Sequence, residues 1–297
     1  MANLKEIRGR ITSVISTQQI TKAMKMVSAA KLRRAQGAIT QMRPFADKQN
    51  QMLSNILSNL DGDAETVFGQ QRDVKSACVV VVTSNRGLCG AFNTNVIKSA
   101  IATIETEFAE VRKNGKLTIL CVGKKGYDIF RKRYADCNVP SDYVELYANI
   151  EFDSVAAAAQ KLMDAFETKQ YDKVTVSYAR FRNAAMQFAE TEQYLPVAKM
   201  ESKKGETSKK RADYVFEPSK AELLSEIVPS ILQTTFYKFL LDTQASEHGA
   251  RMTAMDKATE NANEILKTLK ITYNKARQEA ITKELSEIVG GAAALES

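Results

Sequence analysis

Residues 255–276 read MDKATENANEILKTLKITYNKA, and their spacing decides the architecture of this chain. Met255, Ala258, Ala262, Ile265, Leu269, Thr272 and Ala276 recur at alternating three- and four-residue steps. That is the heptad of a coiled coil. Alanines at the seam let two helix axes approach closely, so tight packing is expected. Upstream the pattern continues through Leu223, Leu224, Ile227, Ile231, Leu232, Phe236, Phe239 and Leu240. One helix from about Ser219 to Val289 is therefore predicted. Pro229 lies inside it and should bend or loosen it locally. Glu279 and Lys283 stand at the favourable four-residue spacing for an ion pair.

A second long helix is predicted at the other end, from about Leu4 to Leu57. Leu4, Ile7, Ile11 and Val14 take heptad positions. The apolar stripe then drifts to Ile20, Ala23, Met24 and Val27, and later to Leu32, Ala35, Ile39 and Met42. Pro44 marks a place for a kink, and Asp61-Gly62-Asp63 ends the helical region. At 1.5 Å per residue the two helices would be rods of roughly 80 Å and 100 Å. No single globular core covers helices of that length. They must bury their stripes on each other or in a partner, which points to a mechanical or scaffolding role.

Between them the periodicity changes. Ala77 to Thr83 is a β-branched run, the pattern of a strand buried on both faces. A helix follows from about Asn93 to Val111, then a strand at Leu117 to Val122 and a helix near Tyr127 to Tyr134. A helix at Val155 to Phe166 and a strand at Val174 to Tyr178 come next. Met186 to Tyr194 reads as a last strand, antiparallel to its neighbour. This alternation predicts a small, mostly parallel, Rossmann-like sheet. The expected domains are 1–60 and 219–297 as coiled-coil helices, 74–198 as the α/β domain, and 199–218 as polar loop and linker.

Composition narrows the function. The longest apolar runs, such as Cys78 to Val82, are too short to span a bilayer, and the start of the chain carries no apolar leader pattern. A cytosolic protein is expected. Cys78, Cys89, Cys121 and Cys137 lie far apart with only His248 as a possible imidazole ligand, so neither a disulfide framework nor a metal site is predicted. Residues 1–50 carry ten basic side chains against Glu6 and Asp47, a surplus of eight in a chain whose total is +7. The first helix thus suits an acidic partner or a polyanion, or is a solvated basic face.

Catalytic patterns are missing. There is no GxxxxGK[ST] loop. Gly87-Leu88-Cys89-Gly90 and Gly123-Lys124-Lys125-Gly126 follow strands where a phosphate would sit, but neither has the GxGxxG spacing, and such turns are usually only turns. His248 lies within a long helix without a nucleophile elbow. Cys89 reads as a thiol in a polar loop with no base beside it. The methionines of the helices read as adaptable contact residues, not as ligands. No cofactor is expected.

Three segments together resemble the gamma subunit of F-type ATP synthases. They are Ile7-Arg8-Gly9-Arg10-Ile11 with Thr17 to Val27; Thr83 to Asn93; and Ser246 to Met252 continuing through Tyr273 to Gln278 and Ile281 to Ala292. The resemblance spans the chain in order. Asn85 and Ala91 depart from it, standing where family members often have Asp and Gly. The resemblance implies an α/β fold in which the terminal helices pair as a long antiparallel, left-handed coiled coil, with a Rossmann-like domain at the foot. It implies a non-catalytic rotor of the proton-translocating synthase, one copy per complex, at the cytoplasmic face of the bacterial inner membrane. The implied partners are the alpha and beta subunits, the epsilon subunit and the c-ring.

By motif position, Met24, Lys25, Arg251, Gln278, Thr282 and Glu287 are expected to face the alpha/beta hexamer, or to be ordinary helix-pair contacts. Cys89, Tyr214, Phe216 and Glu217 are expected near epsilon or the c-ring. A nucleic-acid-binding coiled coil using the basic first helix is the competing reading, and a Rossmann-like enzyme with helical appendages is a third.

Overall fold

The computed structural model describes residues 4–58, 67–197 and 220–296. The expected stop at Asp61-Gly62-Asp63 and the polar stretch 199–218 lie outside the described residues. The elements are α1 (Leu4–Ser58), β1 (Ala77–Val82), α2 (Phe92–Thr106), α3 (Ala109–Lys113), β2 (Leu117–Val122), α4 (Lys124–Arg133), α5 (Phe152–Glu167), β3 (Lys173–Phe181), β4 (Gln187–Leu195) and α6 (Lys220–Glu296). Both long helices continue through their prolines, Pro44 and Pro229. The helix expected over 93–111 is two helices. Phe108, 1 % exposed, sits at the break with φ −116° and drops its ring into the core from a non-helical position.

Contacts divide the chain into two compact units, Ala30–Ala250, and Met1–Ala29 with Arg251–Ser297. The boundary falls inside both long helices.

In the larger unit the sheet order is β2-β1-β3-β4, with β1 parallel to β2 and β3, and β4 antiparallel to β3. Central β1 is fully buried along its length, which is why its residues form an unbroken apolar run instead of alternating. Ala77, Val79 and Val81 join Phe92, Val96, Ala100 and Ile104 of α2 and Phe130 of α4 on one face. Cys78, Val80 and Val82 join α5, through Ala159, Leu162 and Phe166, and α6, through Leu232, Phe236 and Leu240, on the other. The sheet is thus the middle of three layers, and α6 within this unit is a core element of its second face.

In the smaller unit α1 and α6 run antiparallel. Gln18 Nε2 donates to Asn263 Oδ1, the hydroxyls of Thr21 and Thr259 lie 2.8 Å apart, and Lys25 pairs with Asp256. The residue numbers of each facing pair add to 280 or 281, as the antiparallel arrangement requires.

Candidate functional site

In an open α/β sheet, ligands bind beyond the carboxyl ends of the strands where the strand order reverses. Here that point lies between β1 and β3, and the chain's own side chains occupy its surroundings. Lys124 N–H donates to Asn85 Oδ1 (2.9 Å), Lys125 N–H to the Ser84 carbonyl (3.1 Å) and Gly126 N–H to Thr83 Oγ1 (2.8 Å). Ser84 N–H donates to Asn93 Oδ1 at 3.0 Å. The amides with which a helix N-terminus would hold an anion are therefore already hydrogen-bonded. The Gly123-Lys124-Lys125-Gly126 turn is a clasp between β1 and α4.

The loop after β1 buries Cys89, which the sequence presents as a thiol in a polar loop. Cys89 is 2 % exposed, and its sulfur accepts a hydrogen bond from Asn93 Nδ2 at 3.2 Å. The side chain presented outward is Leu88, 64 % exposed and held at φ +62°. A leucine in that backbone region is strained, and nothing in the sequence pattern marks it. Cys78 and Cys121 are buried, and burial pushes both thiols up to about 12. Cys137 is partly exposed. Alkylation requires an accessible thiolate, so iodoacetamide at pH 8 should modify Cys137 first in the folded chain, as read by peptide mass spectrometry. Cys89 should react only on unfolding; labelling as fast as that of Cys137 would contradict this placement.

The helix pair carries the remaining predicted residues. The buried or half-buried seam positions of α1 are Leu4, Ile7, Ile11, Val14, Gln18, Thr21, Lys25 and Ser28, continuing to Leu32, Ala35 and Ile39, with Met24 half-buried at its edge. This is an unbroken alternation of three and four. The expected drift onto Ile20, Ala23, Met24 and Val27 does not occur. Ile20 is 59 % exposed and Val27 57 %, Ala23 is exposed, and Met24 is half-covered. Gln18, Thr21 and Lys25 hold this stretch of the seam because each finds a partner across it, Ser28 donates back to the Met24 carbonyl of its own helix at 2.8 Å, and Ile20 and Val27 are left outside.

On α6 Met255, Ala262 and Leu266 are buried, and Ala258, Thr259, Leu269, Tyr273 and Ala276 are half-buried. Leu266 and Tyr273 thus take the places expected for Ile265 and Thr272. Ile265 is 50 % exposed and Thr272 is exposed. Residues 281–291 are all exposed, including Ile281, Leu285, Ile288 and Val289.

Of the residues assigned to the hexamer, Lys25 is paired with Asp256 inside the chain, both about half exposed. Arg251 is only 8 % exposed. Gln278, Thr282 and Glu287 are exposed, and Lys283 pairs with Glu287 at 3.7 Å, not with Glu279 as expected. Tyr214, Phe216 and Glu217 lie outside the described residues. Sequence reasoning passed over Thr21, Asp256, Thr259 and Asn263. Strict continuation of the register from Ile7 would have found the α1 member of each pair.

The ATP synthase family model matches residues 3–295. The chain is 51 % identical to the ATP synthase gamma chain of Cytophaga hutchinsonii over 99 % of both chains. It belongs to the ATP synthase gamma-chain family. The gamma chain of Flavobacterium psychrophilum is 52 % identical, again over 99 % of each. Among solved structures, the rotor of the Euglena gracilis mitochondrial ATP synthase is similar with a TM-score of 0.60 at 25 % identity, covering 94 % of this chain and 98 % of that one. Gamma chains are non-catalytic, central-stalk subunits of F-type ATP synthases, and the relatives lend no support to a nucleic-acid-binding reading. Among the described residues no helix is long and apolar enough to cross a membrane.

Proposed function

We propose that this gamma-family chain turns as the shaft of a proton-translocating ATP synthase at the cytoplasmic face of the bacterial inner membrane, one copy per complex. The carrying observation is the inverted patterning of the helix pair. Thr21–Thr259 holds the inside and the half-exposed Lys25–Asp256 pair ties its edge, while Ile20, Met26 and Val27 face out at 57–62 % exposure. A free-standing coil would reverse this arrangement. Exposed apolar side chains on a helix pair mark a surface that a partner encloses. Their spacing is scattered, so the shaft meets its sleeve through many shallow contacts. No single deep well then fixes its angle.

In this reading Met24 and the exposed faces around Gln278, Thr282 and Glu287 meet the alpha/beta hexamer, with Lys25 and Arg251 shaping that surface from within the helix pair. The loop carrying Cys89 meets epsilon or the c-ring through Leu88, and Tyr214, Phe216 and Glu217 are assigned to the same partners. Rotation driven by proton flow through the c-ring would then push each catalytic beta subunit through its conformations in turn. Purification from the native membrane tests the assignment. The tagged chain should bring down alpha, beta and epsilon subunits with ATP-hydrolysing activity. Recovery of the chain without alpha and beta would end the rotor reading.

A further inference from the structure

The larger unit contains a joint that apolar packing does not require. Beyond the pairing of Val81 with Ser177, β3 runs on past the end of β1, and at Ala179 its backbone has no strand neighbour on that side. Two side chains of α6 take that neighbour's place. Ala179 N–H donates to Thr243 Oγ1 at 3.3 Å, and Ser246 Oγ donates to the Ala179 carbonyl at 3.1 Å. Thr243 and Ser246 are completely buried. They stand one turn apart, so one helix face grips both polar groups of a single peptide residue.

A second joint lies further along the same helix. Tyr194 Oη, at the end of β4, donates to the Leu232 carbonyl of α6 at 3.0 Å. Leu232 and Thr243 are about three turns, or roughly 17 Å, apart on nearly the same side of the helix. Around these bonds the interface is apolar, built from Phe236, Phe239 and Leu240 against Val176 and Tyr178. Apolar contact is non-directional, and packed helices slide over such surfaces in small steps. Hydrogen bonds have narrow angular tolerance. Two sets of them on one face oppose both sliding along the helix axis and rolling about it.

We propose that Thr243 and Ser246, with Tyr194 as a second anchor, are the torque key of this rotor: positioning residues that lock α6 to the foot sheet so that turning the sheet turns the helix without slip. The key rests on the rotor reading. It adds that the load crosses this interface through three hydroxyls, and that their removal weakens transmission before it weakens assembly.

The test uses the whole synthase reconstituted in vesicles, with Thr243→Val and Ser246→Ala combined. ATP hydrolysis with the proton gradient collapsed should stay within about twofold of the parent. Gradient-driven ATP synthesis should fall by roughly 2- to 30-fold, the range expected when a coupling contact is lost. The loss should grow as the ATP/ADP ratio opposing synthesis is raised. Thr243→Ser, which keeps the hydroxyl, should restore synthesis when it replaces the valine. Hydrolysis and synthesis falling in equal proportion would show a merely structural role and overturn the key, as would no change in either. If the double variant does not assemble, Tyr194→Phe removes one anchor with its ring left in place, and absence of the same split there overturns the proposal. Failure of the parent complex to pump protons would count against the rotor reading instead.

Discussion

Replacing Gly123 with Ala should destabilise the α/β unit by about 4 kcal/mol, a large effect for one methyl group. Gly123 has φ +103° and ψ 141°, a region open to glycine and closed to alanine, with strain of about 1–3 kcal/mol. Its missing Cβ would lie 2.0 Å from the Thr83 carbonyl oxygen and 2.7 Å from its carbon. Both are backbone atoms of the chain leaving central β1, so relief requires the clasp to open, adding about 1–3 kcal/mol. Opening it also loosens the Gly126 N–H bond to Thr83 Oγ1. For a unit of this size such a loss lowers the melting temperature by roughly 10 °C. Gly115→Ala is the control: φ is +68°, but nothing stands within 4 Å of the added methyl, so a cost of about 1 kcal/mol is expected. Thermal unfolding of both variants, with hydrogen exchange followed at β1 and β2, checks the ranking. Equal losses would remove the clasp from the account of this turn.

That turn also shows what the sequence can and cannot carry. Glycine at 123 and 126 was visible, and so was the place of the turn after a strand. Whether such glycines make room for a ligand or for another part of the chain depends on what approaches them. Here it is Thr83, forty residues upstream and adjacent only through β1–β2 pairing. The strands themselves were legible because burial on both faces leaves an uninterrupted apolar run, as in Cys78 to Val82. The break at Phe108 was hidden because a core phenylalanine fits a helical stripe as well as a kink.

The helix pair was legible in outline and misread in detail for a related reason. A pattern search follows apolar side chains, so at Ile20 and Val27 it left the true register, which Thr21, Lys25 and Ser28 continue. Hydrogen bonds between the two helices make Thr21 and Lys25 acceptable seam members, with partners more than two hundred residues away in sequence, while Ser28 satisfies itself on the Met24 carbonyl one turn back. The same error identifies the surface. Where apolar side chains depart from the register of a coiled coil, they have been released from packing within the chain. Cys89 was misjudged because its polar neighbours, Ser84 and Asn93, bind one another and wall the sulfur in.

Met24→Lys should impair coupling far more than folding. Met24 is half-covered and lies at the edge of the seam, beside the Lys25–Asp256 pair. A lysine there keeps its stem on the helix and extends its ammonium into solvent, so the stability change should stay within about 1 kcal/mol. In the proposed rotor this position meets the alpha/beta hexamer, where the family resemblance implies an acidic loop of beta. A new cation against it forms an ion pair at some shaft angles and not at others. Close interfacial charge pairs couple by about 1.5 kcal/mol or more when water is excluded, and a well of that depth slows passage roughly tenfold, long enough for a catalytic site to turn over before the shaft has stepped. The smooth surface described above has no such well, because its apolar residues are scattered and Lys25 is already neutralised by Asp256. The variant should therefore hydrolyse ATP while moving several-fold fewer protons per ATP, and high salt should partly restore the ratio by screening the new pair. Measurement of proton pumping against hydrolysis in vesicles checks this. An unchanged ratio in a correctly assembled complex would mean that position 24 does not face the moving subunit, and the contact surface would have to be sought around Ile265 and Ile271 instead.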